Sequence, residues 1–568
     1  MSADFQVEGH NVAALFTLKI HRGDGMSLVA MNWKKGKPPD NFVGFAIEYK
    51  EPNGAQFFAL NNRVAFPNAS GGVDPNRLST LRSPIQKFRW VHFPFNANLP
   101  GDFTYRVTPV FMSNTDVLSL GDAQEAKIEL RRETFPGQLN IAYTRGFVAS
   151  QAFVERYKTV AKLLPAKAKD GLSFVPTHPQ TIQALAWMGF EAREAILDVL
   201  DKAVADTSAQ VRVVAYDLNQ PDVVSKLEAL GSRLKVIIDN SGDHGVSGSA
   251  ENQAETRLAA SAGAANVKRQ HMASLQHNKF IVVDGPMGQF GVCGSTNFSW
   301  RGFFVQSNNA VVLQGSSAIK PFAAAFENYW SNDTVAGFAA TPSVNWTALG
   351  LGGIDAKVAF SPHTPPNALF KPVADDIELG TTSSLFYSLA FLYEAPGAIK
   401  DAIVKVTKDP TRFVYGISDK KVGGIVLQKP NGNLAPVFAA ALSRNLPEPF
   451  KSEPAGGGGT RMHHKFVVID FDKPTARVYF GSYNFSVPAD TKNGENLTLI
   501  RDRRIAVSYL IEALSIFDHY HFRVSQQEAK DAKKKLQLVK SPRRPGDLPW
   551  WSEYYTDPLK IRDRELFA

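Results

Sequence analysis

The chain has 568 residues, of which 44% are hydrophobic and 21% charged, with one cysteine and a formal net charge of +9. That length exceeds what one hydrophobic core organises and predicts about two to four domains. A single cysteine, Cys293, excludes an intramolecular disulfide framework and a thiolate metal cluster. The positive balance points to anionic partners: nucleic acid, an anionic membrane surface or a phosphate-bearing small molecule. No stretch reaches the roughly 18–20 uninterrupted apolar residues of a membrane span. The segment from Met1 to Glu8 is acidic where an export signal needs positive charge, and no apolar run follows it. The expected location is therefore cytoplasmic, or outside the cell by a route without a cleavable signal.

In chain order, residues 1–135 read as all-β. Phe16, Leu18 and Ile20 alternate with polar residues, as do Val43, Phe45, Ile47 and Tyr49, and then Phe103, Tyr105 and Val107. The segment resembles a fibronectin type III or immunoglobulin-like sandwich and is expected to be an accessory domain. After Phe135-Pro136-Gly137 the texture changes to α/β. A helical pattern over Glu191 to Ala205 precedes the apolar run Val211 to Tyr216, a second helical pattern and then Leu234 to Ile238. The same texture returns after about residue 350, with Thr411 to Tyr415 as one strand. Two α/β lobes over residues 136–340 and 341–525 are expected, followed by a basic and aromatic tail over 526–568. The tail holds Lys533-Lys534-Lys535, Trp550-Trp551 and Tyr554-Tyr555, and reads as a strap packing its aromatics on a lobe.

The two lobes are inferred from an internal repeat. His277-Asn278-Lys279-Phe280-Ile281-Val282-Val283-Asp284 recurs as His463-His464-Lys465-Phe466-Val467-Val468-Ile469-Asp470. Gly294-Ser295-Thr296-Asn297 recurs as Gly481-Ser482-Tyr483-Asn484, one residue further along. Asn309 is aligned with Glu495, and Phe174-Val175-Pro176 with Phe360-Ser361-Pro362. A lone His-x-Lys is ordinary surface; two in register with Gly-Ser-x-Asn are not.

Each His-x-Lys opens an apolar strand, so its imidazole and ammonium project from one face. Lysine offers charge, Ser and Asn offer donors, and imidazole can be nucleophile or acid. One phosphoryl transfer wants two imidazoles, one attacking phosphorus and one protonating the leaving oxygen. Two facing lobes supply both. Lys279, Lys465, Asn297 and Asn484 would then cradle the non-bridging oxygens in place of a metal. Neither metal nor cofactor is expected, and no HExxH, Walker or EF-hand pattern occurs.

The pattern resembles the phospholipase D superfamily signature, H-x-K-x4-D followed by G-S-x-N, over residues 140–525. The resemblance implies a phosphodiesterase working through a covalent phosphohistidine. It implies His277 and His463 as nucleophile and acid in an unsettled order, and Lys279, Lys465, Asn297 and Asn484 as phosphate ligands. Ser295 and Ser482 support them, and Asp284 and Asp470 are structural. Where the family often places a carboxylate to orient an imidazole stands Glu495, with Asn309 in the first copy, so the two histidines are expected to be electronically unequal.

His464 is expected to face away from the site. His178, His244, His271 and His363 are candidate cleft residues, with a structural role the commoner alternative, and Cys293 reads as core. Gly456 to Gly459 read as a linker or a mobile rim. Phe303, Phe304 and the tail aromatics favour a phospholipid head group and peripheral membrane contact. The basic balance and the Lys492-Asn493-Gly494-Glu495-Asn496 stretch favour a nuclease. A third reading is an effector or adaptor whose sandwich binds a partner. With both half-sites in one chain, a monomer is expected.

Overall fold

The computed structural model describes residues 5–68, 78–94, 96–130, 134–146, 157, 163–365, 367–390, 392, 397–420, 424–430, 434–438 and 462–568. Gly456 to Gly459 lie outside them. The chain forms two compact units, Met1–Arg132 with Val507–Ala568, and Glu133–Ala506.

The first unit is the antiparallel sandwich. Strands Gln6–Glu8, Phe16–Gly23, Met26–Trp33 and Arg89–His92 form one sheet; Phe58–Ala59, Phe42–Lys50, Asp102–Met112 and Leu118–Leu120 form the other, with Gln124–Glu129 on Asp102–Met112. The alternating residues face inward: Phe16, Leu18, Ile20, Phe45, Ile47, Phe103, Tyr105 and Val107 share one core. A two-residue turn, Asp24-Gly25, joins the first hairpin, with Gly25 at φ 67° where a side chain would be strained.

The C-terminal segment differs from expectation. It belongs to the sandwich unit from Val507 onward, and its aromatics pack on the sandwich rather than on a lobe. Trp551 lies in the sandwich core at 6% exposure. Trp550 Nε1 donates to the Phe42 carbonyl at 3.0 Å, and the rings of Trp550 and Tyr554 sit 5.4 and 5.0 Å from Phe88. The apolar surface around Phe42 and Phe88 needs cover, and these rings supply it. Lys533, Lys534 and Lys535 are exposed.

The second unit holds two mixed sheets of matching topology. In the first the order is Leu139–Tyr143, Asn309–Gln314, Gly288–Gly294, Lys279–Gly285, Gln210–Ala215, Leu234–Asp239 and Val267–Gln270. In the second, Asp355–Ser361, Glu495–Arg501, Arg477–Gly481, Lys465–Ile469, Ser384–Leu389 and Phe413–Lys420 run in the same sequence. That sheet is flanked by Thr347–Ala348 on one side and by Gly424–Gln428 and Leu434–Phe438 on the other. Each sheet has one parallel pair beside the motif strand, Gln210–Ala215 with Leu234–Asp239 and Ser384–Leu389 with Phe413–Lys420. Two backbone bridges join the sheets, Gln276 to Gly494 and Ser307 to Met462. They exchange equivalent positions, as a pseudo-twofold axis requires.

One expected equivalence fails. Phe360 pairs with Asn496, and the corresponding pair in the first lobe is Tyr143 with Asn309. Phe174 lies outside the strands, with its ring 5.6 Å from Trp300. The short Phe-x-Pro match reflected shared composition, not shared position. Phe303 and Phe304, expected as an exposed apolar loop, are fully buried in helix Trp300–Phe304.

Trp551→Ala should destabilise the sandwich unit by about 3–5 kcal/mol, the range for deleting a buried Trp. Urea unfolding followed by circular dichroism measures it.

Candidate active site

The motif strands sit at the centre of their sheets, so Phe280 to Val283 and Phe466 to Ile469 are buried on both faces. This fixes the position of the histidine two residues before each lysine. Lys279 and Lys465 each curl back so that Nζ donates to the carbonyl of His277 or His463. The motif aspartates differ. Asp470 is buried and accepts from the amides of Thr382, Ser383 and Ser384, whereas Asp284 is exposed and accepts from Gln289 Nε2.

After the next strand the chain turns at Gly294 and Gly481, with φ 129° and 151°. A Cβ there would sit 2.5 Å from the Asn309 carbonyl oxygen and 2.2 Å from that of Asn496, so both turns need glycine. The serines that follow face inward. Ser295 Oγ accepts from the Asn309 amide at 3.1 Å and donates to Asn308 Oδ1 at 2.9 Å; Ser482 Oγ accepts from the Asn496 amide at 3.0 Å. Their hydroxyls brace the turn.

The two imidazoles lie 6.2 Å apart, centroid to centroid. They border a cavity of about 930 Å³ whose lining also includes Asn297, Asn484, Tyr216, Asp217, His244 and Arg301. Each histidine is held by the opposite lobe. His277 Nδ1 donates to Glu495 Oε2 at 2.8 Å; His463 Nδ1 donates to Asn308 Oδ1 at 2.8 Å and lies 3.1 Å from the Ser295 carbonyl. The Nε2 atoms are thus the ones left to meet a substrate.

Asn308, not Asn309, therefore answers Glu495. Asn309 is the counterpart of Asn496: its Nδ2 donates to His464 Nδ1 at 3.3 Å, while Asn496 Nδ2 donates to Asn278 Oδ1 at 2.9 Å. The one-residue shift that appears at Gly-Ser-x-Asn persists into the next strand. An amide thus faces one imidazole and a carboxylate the other.

Burial pushes the pKa of His277 down; Glu495 opposes this, and Lys279 and Lys465 reinforce it. Burial lowers His463 well below the ordinary value, with Lys465, Lys279 and His277 adding to the effect. Burial also brings Lys279 down to about 8, against the attraction of Glu495, Asp217 and Asp239.

Of the other candidate histidines, only His244 borders the cavity. His363 is buried 2.8 Å from Asp490, His271 Nδ1 lies 2.7 Å from Asn240 Oδ1, and His178 Nδ1 accepts from the Gln180 amide. His464 is buried and packs 5.1 Å from the Phe466 ring. Cys293 is buried. Tyr216, Asp217 and Asn308 were not foreseen. Tyr216 and Asp217 follow strand Gln210–Ala215 and carry no motif; a consistent one-residue shift in the repeat would have found Asn308.

Asn308→Asp should raise the pKa of His463, whereas Asn309→Asp, facing His464, should move it less; imidazole NMR titration reads both. Affinity for inorganic phosphate should fall as pH rises through about 8 and Lys279 loses its charge. In Glu495→Gln, which removes an attraction that holds that proton, the fall should begin at lower pH, as calorimetry would show.

Parts of the chain are similar to known proteins. Residues 197–330 match the family model described as Cardiolipin synthase, PLD-like domain. A 48-residue stretch is 50% identical to a phospholipase D of Rickettsia prowazekii, covering 8% of this chain and 22% of that protein's length. Among solved structures, the phosphatidylserine synthase of Haemophilus influenzae aligns at 12% identity and TM-score 0.40, over 60% of this chain and 92% of that one. Nuc from Salmonella typhimurium, a phospholipase D family member, aligns at 26% identity and TM-score 0.20, over 24% and 87%. The matched residues 197–330 hold His277, Lys279, Asn297 and Asn308.

Proposed function

We propose that the chain is a phosphodiesterase that cleaves through a covalent phosphohistidine at a site shared by its two lobes. The observation that carries this reading is the facing pair, His277 and His463, 6.2 Å apart with each Nδ1 occupied. A reacting nitrogen about 3–3.5 Å from phosphorus on one side leaves room for the second imidazole at the leaving oxygen on the other.

His277 is the better nucleophile. As Nε2 forms the bond to phosphorus its ring becomes cationic, and the Glu495 carboxylate on Nδ1 stabilises that charge throughout the life of the intermediate. The P–O bond to the leaving group breaks as His463, held in its imidazolium form by the bound phosphodiester, gives its Nε2 proton to the departing oxygen and keeps the Nδ1 proton on Asn308. His463 then takes a proton from water, whose oxygen attacks phosphorus and breaks the P–N bond. Lys279, Lys465, Asn297 and Asn484 are assigned to the non-bridging oxygens.

Most of the residues bordering the cavity are polar, Ser241, Asp243, Ser247, Ser249, Ser299 and Gln306 among them. It suits a hydrophilic alcohol beside the scissile bond, such as a glycerophospholipid head group. The nuclease reading gains from the burial of Phe303, Phe304 and Trp551, which removes aromatic groups first counted toward a membrane surface.

The test is turnover of bis(p-nitrophenyl) phosphate in EDTA, followed by phosphatidylcholine vesicles and DNA. His277→Ala and His463→Ala should each lose at least about a thousandfold in kcat, with labelled phosphate trapped on the peptide holding His277. Full activity in both variants sinks the mechanism; nicked DNA with untouched lipid reverses the substrate preference.

A further inference from the structure

The first lobe carries a polar network that the reaction above does not use. Strand Gln210–Ala215 ends at Tyr216 and Asp217, and its parallel neighbour Leu234–Asp239 ends at Asp239. His244, in the turn after Asp239, reaches back between the two carboxylates. Its Nε2 lies 3.1 Å from Asp217 Oδ1 and its Nδ1 2.7 Å from Asp239 Oδ2.

Each aspartate continues to a residue of the candidate site. Asp217 Oδ2 accepts from Asn297 Nδ2 at 2.7 Å and from Ser299 Oγ at 3.4 Å. Asp239 Oδ1 accepts from the backbone amide of Gln276 at 2.7 Å, the residue before His277. The Tyr216 ring closes the network, 4.6 Å from both the His244 and the His277 rings, with Lys279 Nζ 4.7 Å from its centroid.

We propose that His244, clamped between Asp217 and Asp239, is a positioning residue that holds the Asn297 amide and the backbone entering His277 in register for one phosphate. The inference rests on the phosphodiesterase reading for the role of Asn297. Asp217 takes one of the two N–H groups of that amide and so fixes the direction of the other. A ring with both nitrogens donating bridges two carboxylates that would otherwise repel across a shared wall. Burial disfavours the charge on His244, but the hydrogen bonds to Asp217 and Asp239 outweigh it and raise its pKa to about 10, so the bridge keeps both protons at neutral pH.

A double-mutant cycle tests the proposal on two readouts, inorganic phosphate binding by calorimetry and turnover of bis(p-nitrophenyl) phosphate. Asp217→Ala and His244→Gln should each weaken phosphate binding several-fold and lower kcat by about ten- to a hundredfold. In an Asn297→Ala background, Asp217→Ala should add almost nothing, because it acts through that amide. Full additivity of the two substitutions in variants with wild-type unfolding midpoints overturns the proposal, as does unchanged phosphate binding in Asp217→Ala. Asp217→Asn, which keeps one acceptor oxygen, should recover part of the loss if the fold tolerates Asp217→Ala poorly. If the cycle couples in phosphate binding while the wild type turns over no phosphodiester, the positioning network stands and the reading of the reaction falls.

Discussion

Each histidine of the candidate site is oriented by the lobe that does not contain it. His277 donates to Glu495 and His463 to Asn308, both at 2.8 Å. The two ring nitrogens of a histidine are distinct, and the tie on one selects which of them faces a substrate. Because both ties cross the pseudo-twofold axis, neither lobe can present a correctly oriented imidazole by itself. The backbone bridges from Gln276 to Gly494 and from Ser307 to Met462 lie immediately beside these residues and set the spacing on which the ties depend.

The same closure makes the site electrostatically costly. Two lysines and two histidines are buried together, and burial alone disfavours every charge among them. Glu495 offsets part of this for His277 and Lys279. His463 receives no carboxylate, and its pKa falls furthest below the ordinary value. A bound phosphodiester would bring the missing negative charge, favouring the imidazolium form of His463 and the ammonium form of Lys279.

The α/β reading, the inward alternation of the sandwich and the two motif strands were all legible because periodicity and repetition are local. Phe16, Leu18 and Ile20 alternate because one face of their strand is buried, and sequence carries that directly. Asn308 was missed because alignment by similarity placed Asn309 against Glu495; only the hydrogen bonds to His463 and His464 distinguish the two neighbours. The packing of Trp551 depends on contact with a core hundreds of residues earlier in the chain, and an aromatic pair in a basic tail carries no sign of it. Asp217 is a single residue beyond a strand end. Its partners Asn297 and His244 come from distant segments, so no spacing rule could have joined them.

The two lobes depart from symmetry at several positions. A carboxylate faces His277 and an amide faces His463. A buried aspartate knots the end of the second motif strand, while its counterpart Asp284 is exposed. The Asp217–His244–Asp239 network braces the first lobe. A phosphoryl transfer is itself asymmetric, with an imidazole that must carry positive charge through a covalent intermediate and another that must only lend and retrieve a proton. The half with the carboxylate and the braced amide suits the first task, and the half with a neutral partner and the lower histidine pKa suits the second. In the proposed reaction, the differences between the two half-sites follow the direction in which the bond to phosphorus is made and broken.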